Sequence, residues 1–245
     1  MTANKSFIGL ADCYLKPYNV AGAARALGSV SACQLQHQVT ELRQRNYGRA
    51  GGTLNRTDRL DRVLVALTLQ SVSAANLALA TRGGITNVSA STVSAEEHTA
   101  HLGALIRTAH MNISSVVVED DAELITYEAG VDYKVTGAGI VPLEGGAISE
   151  NDPIKISYSF SARVVIEALT QPQTEWTFYF DGLNEAEGGE NTAVDLHRIK
   201  FGTVQNIDMI GDDYATLQLT AELLVDPTKV GVGESQFYNW AHPSA

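Results

Sequence analysis

Cysteine is scarce: the chain has two, Cys13 and Cys33. Two thiols cannot build a disulfide scaffold, and they lack the partners of a zinc site. They read as buried thiols of strand faces in a reducing compartment. No run approaches the roughly 20 apolar residues of a membrane helix. The opening stretch MTANKSFIGLADCYLKPY lacks the basic-then-apolar order of a signal peptide. Membrane insertion by this chain is therefore not expected. Aromatics make up 7% of residues, with Trp176 and Trp240 the two tryptophans, fewer than a sugar-binding platform of stacked rings asks for. Charged residues are also few, at 18% against 44% hydrophobic. A sizeable core is available, which excludes global disorder.

Signatures of catalysis are missing too. There is no G-x-S-x-G elbow, no Walker loop and no G-x-G-x-x-G after a strand. The nearest approach to a metal site is EEHTAHLGALIRTAH, with His98, His101 and His110 beside Glu96 and Glu97. A zincin needs histidines four apart on a helix with Glu after the first. Here His98 and His101 are three apart and the acids precede them, so they read as polar loop histidines. Asp212-Asp213 lacks the graded oxygen ligands of a calcium loop and reads as a turn between strands. The expectation is a protein that is not an enzyme, with no catalytic residue, metal or cofactor.

Charge is unevenly distributed along the chain. The net charge is -11. Residues 1–60 carry eight Lys/Arg and three acids, 61–118 balance at three each, and 119–245 carry six basic residues against 22 acids. An acidic surface repels nucleic acid. A basic and an acidic segment on one chain attract each other between copies.

Hydrophobic periodicity is mostly two. In SVSACQLQHQVTEL, Val30, Ala32, Gln34, Gln36 and Gln38 alternate with Cys33, Leu35, His37 and Val39. In RVLVALTLQSV, Val63, Val65, Leu67 and Leu69 share one face. Between these strands, residues 43–59 lose periodicity. They hold Gly48, Gly51 and Gly52 with Arg43, Arg45, Arg49, Arg56 and Arg59, and read as a long loop, functional or mobile. Ser73 stands where an N-cap belongs, before a short Ala/Leu-rich helix stopped by Gly83-Gly84. Hairpins follow: short apolar runs at 104–108, 114–118 and 122–127, then IKISYSF with Ile154, Ile156, Tyr158 and Phe160 on one face, VVIEAL at 164–169, EWTFYFDG at 175–182 and further runs over 193–210. In YATLQLTAELLVD, Leu217, Leu219, Ala221 and Leu223 alternate with Gln218, Thr220, Glu222 and Leu224. About ten strands, one or two short helices and turn signals every 8–12 residues point to a mainly β chain, a β-sandwich or barrel. It is read as one domain over 1–245, with an extended hairpin region at about 111–170.

Three stretches, in this order, resemble phage tail tube proteins, also called major tail proteins. They are DRVLVALTLQSVSAANLALATRGG, then YEAGVDYKVTGAGIVPLEGGAISENDPIKISYSF, then WTFYFDGLNEAEGGENTAVDLHRIKFGTVQNIDMIGDDYATLQLTAELLVDPTK. They cover roughly half of the chain, and none is a catalytic signature. The resemblance implies a tail-tube-like fold in stacked homo-oligomeric rings, usually of six copies, whose strands line a conduit for viral DNA. It also implies a place in the virion tail after assembly in the bacterial host cytoplasm. The implied partners are copies of the chain and the tape-measure, terminator and baseplate proteins, with DNA passing through unbound. A polyanion slides past acidic and neutral polar walls and sticks to basic ones. Gln34, Gln36, Gln38, Gln218, Thr220 and Glu222 are thus lumen-facing candidates, and Arg43, Arg45, Arg49, Arg56 and Arg59 inter-ring contact candidates. Two alternatives stay open. One is another ring-forming tail, baseplate or type VI secretion tube component. The other is a ligand-binding β-sandwich using the 43–59 and 181–192 loops.

Overall fold

A computed structural model describes residues 6–242. In chain order the elements are β1 (Gly9–Pro17), β2 (Arg25–Ala26), β3 (Val30–Arg45), β4 (Thr53–Leu69), α1 (Ala74–Thr81), β5 (Gly84–Val88), β6 (Ser91–Thr99), β7 (Ile106–Arg107), β8 (Ile113–Asp120) and β9 (Thr126–Tyr127). They continue with β10 (Tyr133–Thr136), β11 (Gly139–Pro142), β12 (Pro153–Phe160), β13 (Arg163–Glu167), β14 (Glu175–Asn184), a 3-10 turn (Glu185–Glu187), β15 (Glu190–Phe201), β16 (Leu217–Leu223) and β17 (Tyr238–Ala241). The chain is mainly β, in several antiparallel sheets with a single α-helix among the described residues. The expected fold class holds. Strands outnumber the expected ten because several are two- to five-residue pieces that periodicity cannot resolve.

Two compact units emerge, one from residues up to Ile85 and from Ile166 on, the other from Thr86–Val165. The region read as extended hairpins over 111–170 thus lies mainly in a unit that begins 25 residues earlier, at Thr86. The chain leaves the first unit and returns to it on β5 and β13, which pair with each other.

The first unit is built on an eight-stranded sheet in the order β2-β1-β14-β15-β16-β4-β3, with β17 beside β15. Its core comes from the period-two strands. Val63, Val65, Leu67 and Leu69 of β4 are each at most 1% exposed, as are Leu217, Leu219 and Ala221 of β16. Phe178, Leu196 and Ile199 join them from β14 and β15. Each such branched or aromatic side chain contributes about 1.5–3 kcal/mol on burial. β3 departs from strict alternation. A bulge between Val30 and Ala32 turns Val30 onto the side of Cys33 and Leu35, which pack on the core, and away from the glutamines with which periodicity grouped it.

Helix α1 begins as the sequence indicates: the Ser73 hydroxyl accepts the Asn76 N–H. Its end differs. The left-handed residue is Arg82 (φ 52°), not a glycine. Gly83 is required for space, since a Cβ there would lie 2.5 Å from the Ile166 side chain. Asn76 is 1% exposed, yet satisfied. Its Nδ2 donates to the Leu27 and Ser71 carbonyls at 2.7 and 2.9 Å, and its Oδ1 accepts from Arg25 Nη1 at 2.8 Å. This amide ties the helix to the sheet margin.

The expected loop over 43–59 is a correction. β3 and β4 remain paired from Val30↔Leu69 to Arg45↔Thr53, with further register shifts between Gln38 and Val39 and between Gln44 and Arg45. Only residues 46–52 form the connection, with Gly51 (φ 62°) and Gly52 (φ 88°) at the turn. Alternation is lost because this half of the ladder has no layer on either face. From Val39 to Arg62 every residue except Asn46 is exposed. Backbone pairing alone needs no apolar pattern, so an arm of two strands projects beyond the sheet.

The second unit holds the sheets β6-β12-β8-β9 and β10-β11-β7. Ile154, Ile156, Tyr158 and Phe160 of β12 are at most 6% exposed and pack with Val118, Tyr133 and Ile140. Asp132 is buried and accepts the Glu128 and Ala147 N–H groups, both at 2.7 Å. Gly139 lets β11 meet β7, since a Cβ there would lie 2.0 Å from the Ile106 carbonyl oxygen.

Candidate functional site: a polar sheet face and a projecting arm

The side chains of β16 that alternate with its buried set point to the opposite face of the sheet. Gln218, Thr220 and Glu222 are all exposed. Through β4 they align with β3 in cross-strand rows. Gln218 lies opposite Thr68 and then Ala32, Thr220 opposite Ala66 and then Gln34, and Glu222 opposite Leu64 and then Gln36. Two segments some 180 residues apart in sequence thus place their polar alternates on one face, two strands apart. The sequence reading missed Leu64, Ala66 and Thr68, the middle of every row. Its signal was available as the alternate set of β4, overshadowed by the four large residues facing the core.

The face is close to neutral. Lys200 of β15 stands directly opposite Glu222. Gln38 is half-buried, and its Oε1 accepts from Arg62 Nε at 2.6 Å, at the margin where the arm departs. A shallow groove of about 440 Å³ runs along this face, lined by Gln218, Thr220, Glu222, Lys200, Leu64 and Asn206 among others.

All five predicted contact arginines lie on the arm. Arg43 binds Glu41, and Arg56 bridges Glu41 at 2.8 Å and Asp58 at 3.0 Å. These carboxylates raise the basicity of Arg56, Asp58 most. Exposed pairs of this kind add little stability. Arg45, Arg49 and Arg59 form no ion pair among the described residues. Tyr47 (90% exposed) and Leu54 (63%) stand beside them in solvent.

The other candidates are dispersed. His98 pairs with Glu96 and His101 with Glu150, each at 2.9 Å, and His110 stacks on Phe160 with ring centroids 3.8 Å apart. Glu97 lies beside Lys155 in register on β12. No group of three or more His, Cys, Asp and Glu side chains among the described residues is arranged to hold a metal ion. Burial pushes the Cys13 thiol up to about 12 and the Cys33 thiol up to about 11, so neither is an activated nucleophile. Asp212 and Asp213 lie in the irregular segment 202–216 between β15 and β16, a long connection and not the expected turn. No helix among the described residues is long and apolar enough to cross a membrane.

A comparison with curated proteins finds no match. A family model does match, over residues 6–241. That span covers nearly the whole chain, and the chain therefore belongs to the family described as "Protein of unknown function UCP028589".

Proposed function

We propose that this chain is the subunit of a phage tail tube, a structural and non-enzymatic protein of the virion tail. Copies close into rings, six-fold as in the proteins it resembles, and the rings stack into a conduit for DNA ejection. The observation that carries this reading is the polar face of β3, β4 and β16. It is a wide wall of Gln, Thr, Ala and Leu side chains on which Glu222 and Lys200 offset each other, behind which the sheet is packed. Such a wall offers phosphates few cationic contacts, which suits passage of a polyanion. The arm supports the same reading. A two-stranded ribbon with both faces in water is marginal by itself and gains stability from a neighbour. Tape-measure, terminator and baseplate proteins are then the other partners.

Electron microscopy of the purified chain tests this. Rings or tubes with the β3–β4–β16 face on the lumen are expected. A monomer at all concentrations, or a tube map with this face on the outside, would overturn the proposal; the monomer would favour a ligand-binding module instead.

A further inference from the structure

The segment between β15 and β16 carries a second unpartnered surface. Residues 208–215 are all exposed. Met209 is 90% exposed, Ile210 97% and Tyr214 99%, and Asp208, Asp212 and Asp213 lie among them. These aspartates make no ion pair and no hydrogen bond among the described residues. Several acids elsewhere in this unit are engaged, among them Glu175 with Arg198, Asp226 with Tyr18 and Thr228, and Glu234 with Lys229. Single exposed apolar side chains are ordinary, but three within six residues, ringed by unpaired acids, form a contact surface.

We infer that this acidic, apolar-tipped segment of one copy docks on the basic arm of the next copy along the stack. This inference rests on the tube reading and names the acceptor of the arm. Charge is the first argument. Arg45, Arg49 and Arg59 are unpaired on the arm, and Asp208, Asp212 and Asp213 are unpaired on the segment. The second is apolar matching, with Tyr47 and Leu54 on one side and Met209, Ile210 and Tyr214 on the other. Position is the third. The segment joins β16 at Leu217, which pairs with Leu69 at the far end of β4, whereas the arm turn joins β4 at Thr53. Along the 17 residues of β4 the two surfaces are on the order of 50 Å apart at ~3.3 Å per residue. Different patches at opposite ends of one ladder can meet side by side in an antiparallel two-fold pair or end to end along a stack, and the tube reading selects the second. In the stack they join head to tail, and the contact repeats along the strand direction; linked pairs that never extend into ladders would instead mark the antiparallel dimer and overturn the stacking contact.

The test uses the full chain and two sets of charge reversals. Asp208→Arg, Asp212→Arg and Asp213→Arg together, or Arg45→Glu, Arg49→Glu and Arg59→Glu together, should each raise the concentration needed for tube growth by roughly tenfold or more. Combining both sets in one chain should restore growth. Tubes that form equally well with either single set, or a combined variant no better than either, would overturn the docking while leaving the tube reading intact. A second measurement is independent of tube shape: Tyr47→Cys with Met209→Cys under oxidised glutathione. Ladders of linked copies on non-reducing gels, absent with either cysteine alone, support the contact. Ladders without tubes would sink the tube reading alone, and no ladders would sink the contact.

Discussion

Asn76 shows how much one buried amide decides. Its three hydrogen bonds reach Leu27, Ser71 and Arg25, groups that would be stranded without it. Asn76→Leu should destabilise the first unit by about 2–4 kcal/mol, read as a lower urea midpoint with an unchanged slope. Asp132 plays the matching part in the second unit. The Glu128 and Ala147 N–H groups hold its carboxyl below the ordinary aspartate value of 3.8. The folded form therefore keeps the charge where the unfolded chain takes up a proton, so the contribution is complete above that value and is lost as pH falls from it through the folded pKa. Stability measured at pH 2–5 should fall in that range, and Asp132→Asn should flatten the slope while lowering stability at neutral pH. An unchanged slope would assign the acid sensitivity elsewhere. Asn76 was legible only as part of an Ala/Leu-rich helix. Its partners are up to 51 residues away, and no local pattern announces a buried amide.

Among the elements, legibility followed burial. β4, β12 and β16 were readable because one face is packed and the other is not, so alternation is written into the side chains. The same logic failed for residues 43–59, where neither face is packed and the strand leaves no hydrophobic trace. The arm should therefore open locally at little cost. In the free subunit, amides of 40–45 and 54–61 should exchange roughly 100-fold faster than those of 63–69. Assembly should slow them. Equal, fast exchange in subunit and assembly would mean that the arm makes no contact. Reversing Arg43, Arg45 and Arg49 to Glu should weaken assembly more at low salt than at high salt, because exposed charges are screened.

For the whole molecule, the proposed lumen predicts a phenotype. Gln36→Lys or Gln218→Lys adds one positive charge per subunit to the wall, repeated in every ring. Particles should assemble normally and eject DNA slowly or incompletely, since each layer would attract phosphate. Ejection at the ordinary rate would count against a lumen on this face. The acidic segment between β15 and β16 is the counterpart at this scale. Its charges were visible in the sequence, but its place opposite the arm was not, because that depends on the pairing of β16 with β4.

The amino-acid sequence alone determined the mainly β class, the core faces of the strongest strands, the helix start at Ser73 and the separation of charge. Each of these depends on neighbours a few residues apart. Tertiary structure decided the second compact unit, the paired arm and the shared polar face. The face exists only because β4 lies between β3 and β16, bringing Gln34 and Gln36 into rows with Thr220 and Glu222. Such rows are set by inter-strand register across long separations, which hydrophobic periodicity within a single segment does not encode.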